Sequence, residues 1–117
     1  MFAISGRVIK GEGYGRKIGF PTVNLDRRDF LKLKKKPKFG IYAGKVILPT
    51  GRAFRAGLVI GPRDKKGLPK LEAHLLNFRG RTPARAKFIF KKFLRPFRKF
   101  SAEKALKTQI QKDLKKC

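Results

Sequence analysis

In five stretches between Phe2 and Phe90 the apolar residues of this chain recur at every second position, in runs that glycine or proline cuts short. That period belongs to strands whose two faces see different surroundings, and several short strands at close spacing point to a sandwich or a barrel. Phe2, Ile4 and Val8 alternate with Ser5 and Arg7. In FGIYAGKVIL, residues 39–48, Tyr42, Gly44, Val46 and Leu48 share one face, and Pro49-Thr50-Gly51 reads as a hairpin turn. Phe54, Ala56, Leu58 and Ile60 line the next strand, which Gly61-Pro62 is expected to end. Leu71, Ala73 and Leu75 face one way, with Glu72 and His74 on the other side. Ala84, Ala86, Phe88 and Phe90 then alternate with Arg85, Lys87 and Lys91. Five such strands predict a closed or nearly closed antiparallel barrel.

The period changes near the end. Ser101 is a fitting N-cap, and Ala102, Leu106, Ile110 and Leu114 form one stripe, which predicts a helix over about 101–116 packed on the barrel. Glu103 in its first turn and Lys112, Lys115 and Lys116 in its last suit the helix dipole. With 117 residues, 41% of them hydrophobic, one domain over residues 1–117 is expected. The single cysteine, Cys117, allows neither an intramolecular disulfide nor a thiolate metal cluster, which favours a reducing, cytoplasmic setting. Neither a leader-like N-terminus nor an apolar run of membrane-spanning length is present, so a soluble protein without a membrane partner is expected, and a monomer is the expected state.

Charge is the anomaly. Thirty-two Lys and Arg face seven Asp and Glu, a formal net charge of +25. Such a field draws polyanions and repels itself, so composition alone admits nucleic acid as a partner through non-specific charge. The cluster Lys32 to Lys38, with Lys34, Lys35 and Lys36 in succession, reads as a solvated loop or strand end.

Two segments are unlike ordinary scaffold. Gly11, Gly13, Gly15 and Gly19, with Arg16 and Lys17 among them, make a backbone-accessible loop. It could be a plain connection or an anion-binding nest of N–H groups, and its spacing fits neither Walker A nor the dinucleotide fingerprint. Pro21 then pushes Phe20 toward extended geometry, and Thr22 and Asn24, two apart, point to the same side. Their oxygens could serve Mg²⁺ or simply satisfy a turn. In the second segment, KLEAHLLNF at residues 70–78, Glu72 interrupts an apolar strand. It could be an ion-pair partner or a base for an attacking hydroxyl. His74 lies on the same face, as a structural or a functional residue.

Taken together, these segments resemble the bacterial and eukaryotic riboflavin kinase family, from about Gly6 to Asp113. The family's G-x-V-x-x-G and G-R-x-x-G-F-P-T-x-N-L are matched by Gly6, Val8, Gly11, Gly15, Arg16, Gly19, Phe20, Pro21, Thr22, Asn24 and Leu25. Gly40-Ile41-Tyr42-Ala43-Gly44 is similar to its G-V-Y-A-G strand, and Leu71 to Phe78 to its V-E-x-H-L-L-D-F strand. Phe93-Leu94-Arg95-Pro96, Phe100, and Gln109-Ile110 with Asp113 follow its C-terminal pattern. Asn77, Gly61-Pro62-Arg63, Arg79 to Ala84 and Phe97 depart from the pattern around the substrate loops.

The resemblance implies a six-stranded Greek-key barrel with a C-terminal helix, and ATP-dependent phosphorylation of riboflavin to FMN. It implies that Glu72 is the base and that Thr22 and Asn24 hold Mg²⁺ and phosphate. Gly11, Gly15, Arg16, Lys17, Gly19, Phe20 and Pro21 would belong to the nucleotide phosphates, and Arg95 and His74 to the flavin side. An enzyme of this length is expected to stop at FMN. The rival expectations are a basic nucleic-acid-binding barrel and a flavin- or nucleotide-binding homologue without activity.

Overall fold

The computed structural model describes residues 2–9, 22–63, 65–76 and 83–96, together with Thr108, Lys112 and Lys115. Strands β1 (Phe2–Ile9), β2 (Thr22–Leu25), β3 (Gly40–Ile47), β4 (Ala53–Arg63), β5 (Pro69–Leu75) and β6 (Arg85–Arg95) close into a barrel in the order β1-β2-β5-β4-β3-β6. All six pairings are antiparallel. Closure gives every described strand two neighbours, so no row of backbone donors and acceptors is left as an open edge. Five strands lie where the alternation predicts them. The sixth, β2, is only four residues long, too short to announce itself by period.

The inward residues make a continuous apolar core. Leu58, Leu71, Val23, Phe88 and Phe90 are buried there. Phe90 stacks on Phe2 at 4.5 Å between ring centroids and meets Tyr42 edge-on at 5.2 Å. Tyr42 keeps its polar end satisfied by donating its hydroxyl to the Lys38 carbonyl at 2.8 Å. Burial raises the pKa of that phenol, so the hydroxyl stays a donor.

Three local departures shape the wall. The hairpin expected at 49–51 forms, with Leu48 N–H donating to the Arg52 carbonyl at 2.8 Å and Gly51 at φ +90°, where glycine carries no steric cost. Strand β4 does not stop at Gly61-Pro62 as expected but runs on to Arg63. A register shift between Ile60 and Arg63 puts Pro62 at an irregularity, where its missing N–H breaks no regular ladder. Strand β6 shifts twice against β3, so Lys91 and Leu94 face no partner residue there. The shifts set Phe93 opposite Tyr42, with ring centroids 5.2 Å apart and Phe93 still exposed, and bring Arg95 level with Ile41.

Between β2 and β3 the chain forms a 3-10 helix over Arg27–Lys32 that the sequence reading does not anticipate. Asp26 caps it, accepting from Arg28 N–H at 3.0 Å and from the Arg28 guanidinium at 2.6 Å, while its own N–H donates to the Arg7 carbonyl. Asp29 is buried beneath it, with Lys32 2.9 Å from Oδ1 and no hydrogen-bond partner at Oδ2. The lysines at 34, 35, 36 and 38 are exposed, as a solvated loop requires. Of the helix expected over about 101–116, the described Thr108, Lys112 and Lys115 are helical and exposed, and the remainder lies outside the described residues. Among the described residues no helix is long and apolar enough to cross a membrane.

Two outcomes follow from the joint around Asp26 and Asp29. A Cβ on Gly6 would sit 1.9 Å from Asp29 Oδ2, so Gly6→Ala should destabilise the fold by about 1–3 kcal/mol in urea melts. Asp29→Ala in the same chain should restore much of the loss, whereas purely additive losses would exclude this clash as the cause. The side-chain and then the backbone hydrogen bonds from Arg28 hold the Asp26 carboxyl at about 2, below its ordinary 3.8. A lowered folded-state pKa stabilises above the unfolded value and stops doing so as pH falls through the folded one. The margin by which the natural chain out-melts Asp26→Asn should therefore be full above about pH 4 and shrink toward pH 2.

Candidate active site on the β2/β5 wall

Since side chains alternate across a strand, the residues between core positions point outward, and the register decides which of them meet. Strand β2 runs against β5 with Thr22 opposite His74, Val23 opposite Ala73 and Asn24 opposite Glu72. Val23 and Ala73 are core, so Thr22, Asn24, Glu72 and His74 share the outer face as a two-by-two patch. Opposed residues in such a pair have Cβ atoms about 4.5–5.5 Å apart, within reach of one small ligand. All four are half-buried.

The carboxylate is held from both sides. Lys70 Nζ is 3.2 Å from Glu72 Oε2, and His74 Nε2 is 3.3 Å from Oε1. Lys70 is 41% exposed against 13% for Glu72, so its grip is that of a surface ion pair, weak and easily exchanged for another partner. His74 is as enclosed as Glu72 and fixes the other oxygen. Chemically the patch joins one carboxylate, one hydroxyl, one amide and one imidazole, able to accept a proton and to offer hard oxygens.

Extending the register sideways gives two rows that cross five strands. One reads Arg95–Ile41–Val59–Glu72–Asn24, the other Lys92–Ala43–Gly57–His74–Thr22. Ile41, Ala43 and Val59 are buried yet stand outside the interior core cluster, so this stretch of the outer wall is covered. Arg95, half-buried, ends the first row and donates from Nη1 to the Pro96 carbonyl at 3.2 Å. Three inter-strand steps separate it from Glu72, roughly 14 Å. The structure thus brings Thr22, Asn24, Glu72 and His74 together and sets Arg95 at the far end of the same row. Gly11, Gly15, Arg16, Lys17, Gly19, Phe20 and Pro21 lie outside the described residues.

The sequence reading passes over the floor between these ends, made by Ile41, Ala43, Gly57 and Val59, and over Lys70 and Lys92. A signal for part of it exists in Ile41-Tyr42-Ala43, an unbroken apolar triplet that a one-sided strand would not carry.

For a metal, the donor set is informative. Among the described residues no group of three or more His, Cys, Asp or Glu side chains could hold an ion. The hydroxyl and amide of Thr22 and Asn24 are hard oxygens beside a carboxylate, which fits Mg²⁺ as it is bound with substrate phosphates and water.

Comparison with known proteins bears on the family and the fold. The family model described as flavokinase, riboflavin kinase, matches residues 1–117. The bifunctional riboflavin kinase/FMN adenylyltransferase of Pseudomonas fluorescens is 34% identical over 117 residues, covering 97% of this chain and 36% of the relative. The enzyme of that name from Haemophilus influenzae is 37% identical over 118 residues, again with 97% and 36% covered. The chain therefore spans about a third of the length of these relatives. Among solved structures, the macrolide-efflux protein from Streptococcus pneumoniae superposes with a TM-score of 0.79 at 24% identity, over 97% of this chain and 37% of the other. The riboflavin kinase from Trypanosoma brucei superposes with a TM-score of 0.63 at 23% identity, over 97% and 74%. At those identities the superpositions speak for the barrel alone, and the family rests on the model match along the whole chain. By its motifs, its barrel and that match, the chain belongs to the riboflavin kinase family.

Proposed function

We propose that this chain, acting as one unit over residues 1–117, is a riboflavin kinase that transfers the γ-phosphoryl group of ATP to the ribityl 5′-hydroxyl of riboflavin. The observation that carries the reading is the register of β2 against β5, which sets Asn24 beside Glu72 and Thr22 beside His74. Phosphoryl transfer asks little covalent chemistry of a protein and much positioning, so a compact patch of this kind is sufficient equipment.

Glu72 accepts the proton of the ribityl hydroxyl as its oxygen bonds to the γ-phosphorus and the bond from that phosphorus to the β,γ-bridging oxygen breaks. ADP leaves and FMN remains. His74 keeps Oε1 in place, and Lys70, loosely held, yields Oε2 to the incoming hydroxyl. Thr22 and Asn24 would hold Mg²⁺ together with the phosphates, and the ion when bound supplies neutralisation of their negative charge. The family resemblance gives His74 and Arg95 to the flavin side, at two places along the outer rows that cross β5 and β6. On the family resemblance, Gly11, Gly15, Arg16, Lys17, Gly19, Phe20 and Pro21 serve the nucleotide phosphates. ATP as donor suits a cytoplasmic setting, and the site as read is built from one chain, which suits a monomer.

Chromatographic assay of FMN and ADP from riboflavin, ATP and Mg²⁺ tests the reading; a folded chain that makes no FMN overturns it. Glu72→Gln should lower kcat by about 10²–10⁴-fold with the thermal melt unchanged, the range general-base catalysis supplies. Near-normal turnover in that variant removes Glu72 as the base. Asn24→Ala and Thr22→Ala should each weaken Mg·ATP binding about tenfold in calorimetry while riboflavin affinity holds, and equal nucleotide affinity refutes the assignment.

A further inference from the structure

The barrel wall opposite the candidate site is basic and has no carboxylate of its own. In the ring β1-β2-β5-β4-β3-β6, the pair β2/β5 stands across from the pair β3/β6. Strands β1, β3, β4 and β6 contain no Asp or Glu at any position. On their outer face the register gathers Arg7, Arg85, Lys87, Lys45 and Arg55, with Lys91 and Lys92 following on β6. Arg7 sits directly opposite Arg85, and Lys45 directly opposite Arg55. Like charges in opposed positions destabilise a sheet, so folding alone gives no reason for them. Of the described carboxylates, Glu72 lies across the ring, while Asp26 and Asp29 stand beside β1 but are engaged elsewhere, Asp26 with Arg28 at 2.6 Å and Asp29 with Lys32 at 2.9 Å.

The surroundings of these cations narrow the partner. Between them lie Ala3, Ser5, Ile47, Ala53 and Ile89, short or half-buried side chains with no amide and no aromatic ring. Adenine edges are read by side-chain amides and single strands by stacked rings, and neither stands among these cations. The rings of Phe2, Phe88 and Phe90 are spent on the interior core. What remains is a broad face of separated positive charges. Across four strands it measures about 14 Å, and a duplex carries one negative charge per about 1.7 Å of its axis.

We propose that the outer face of β1, β6, β3 and β4 docks the phosphate backbone of duplex nucleic acid without reading its sequence. The surface goes beyond the kinase reading: it shares β6 with Arg95 but uses none of Thr22, Asn24, Glu72 and His74, and duplex binding is read apart from FMN formation.

The test is fluorescence anisotropy of a labelled 20-base-pair duplex against the whole chain over a KCl series. Binding should weaken steeply with salt and be indifferent to sequence. Reversal of the face by Lys45→Glu, Arg85→Glu and Lys87→Glu together should cost at least about tenfold in affinity. It should also reduce the salt slope by about two to three, since each phosphate that is no longer neutralised takes away roughly 0.9. An equal reversal away from the face, Lys34→Glu, Lys35→Glu and Lys65→Glu, should cost far less. Circular dichroism and FMN formation should survive the face reversal. Equal losses in the two triple variants would mean that net charge alone binds, and would overturn the proposal. So would a duplex affinity absent at 50 mM KCl, or vesicles of 30% phosphatidylserine that bind the natural chain more tightly than the duplex and lose it on face reversal.

Discussion

Phe88 and Phe90, packed with Phe2 and Tyr42, fill the inside of a six-stranded ring, and each fully buried large side chain of this kind stabilises the fold by about 1.5–3 kcal/mol. A ring this narrow has no room inside for a ligand once its rings are in place. Whatever the chain does to other molecules must be done by the alternate residues on the outside. The interior is thus what sorts the side chains, two by two, into those that hold the barrel together and those available for chemistry.

That sorting is only as good as the register. A slip of one residue in β5 would turn Glu72 and His74 inward and Ala73 outward, so the identity of the patch and the stability of the core are guarded by the same pairing. The irregular places then adjust what regular alternation cannot. The two shifts in β6 set Phe93 opposite Tyr42, where strict alternation from Phe88 onward would turn it away, and the second shift restores Arg95 to the outer row. The result is a barrel with two unlike walls, one with a half-buried carboxylate and one lined with cations.

Much of this is legible from residues alone. The strands of β3, β5 and β6 can be read because their alternation is long enough to outweigh local noise, and Glu72 because a carboxylate interrupts an apolar strand. Strand β2 cannot, since Thr-Val-Asn-Leu offers one and a half periods, and only the family motif marks it out. The end of β4 is misplaced by pattern because Gly-Pro is a strong stop signal locally, while a register shift tolerates it in this barrel. Asp29 gives no sign at all: its burial depends on Gly6, more than twenty positions earlier, leaving space where a Cβ would stand. Charge is obvious in the composition, but which cations share a face emerges only from the pairing of β1, β6, β3 and β4. The burial of Ile41 and Val59 on the outer wall likewise depends on tertiary cover that no local pattern encodes.

The brevity of β2 has a dynamic counterpart. It meets β1 at Leu25 and Asn24 and β5 at Thr22, Val23 and Asn24, whereas β3 and β4 are matched along eight positions. In a closed ring the lightest seam sets where breathing begins, and here that seam runs beside the patch. Amide protons of β2 would exchange before those of the β3–β4 hairpin, and the wall that must admit and release a substrate can loosen without disturbing the packed rings behind it.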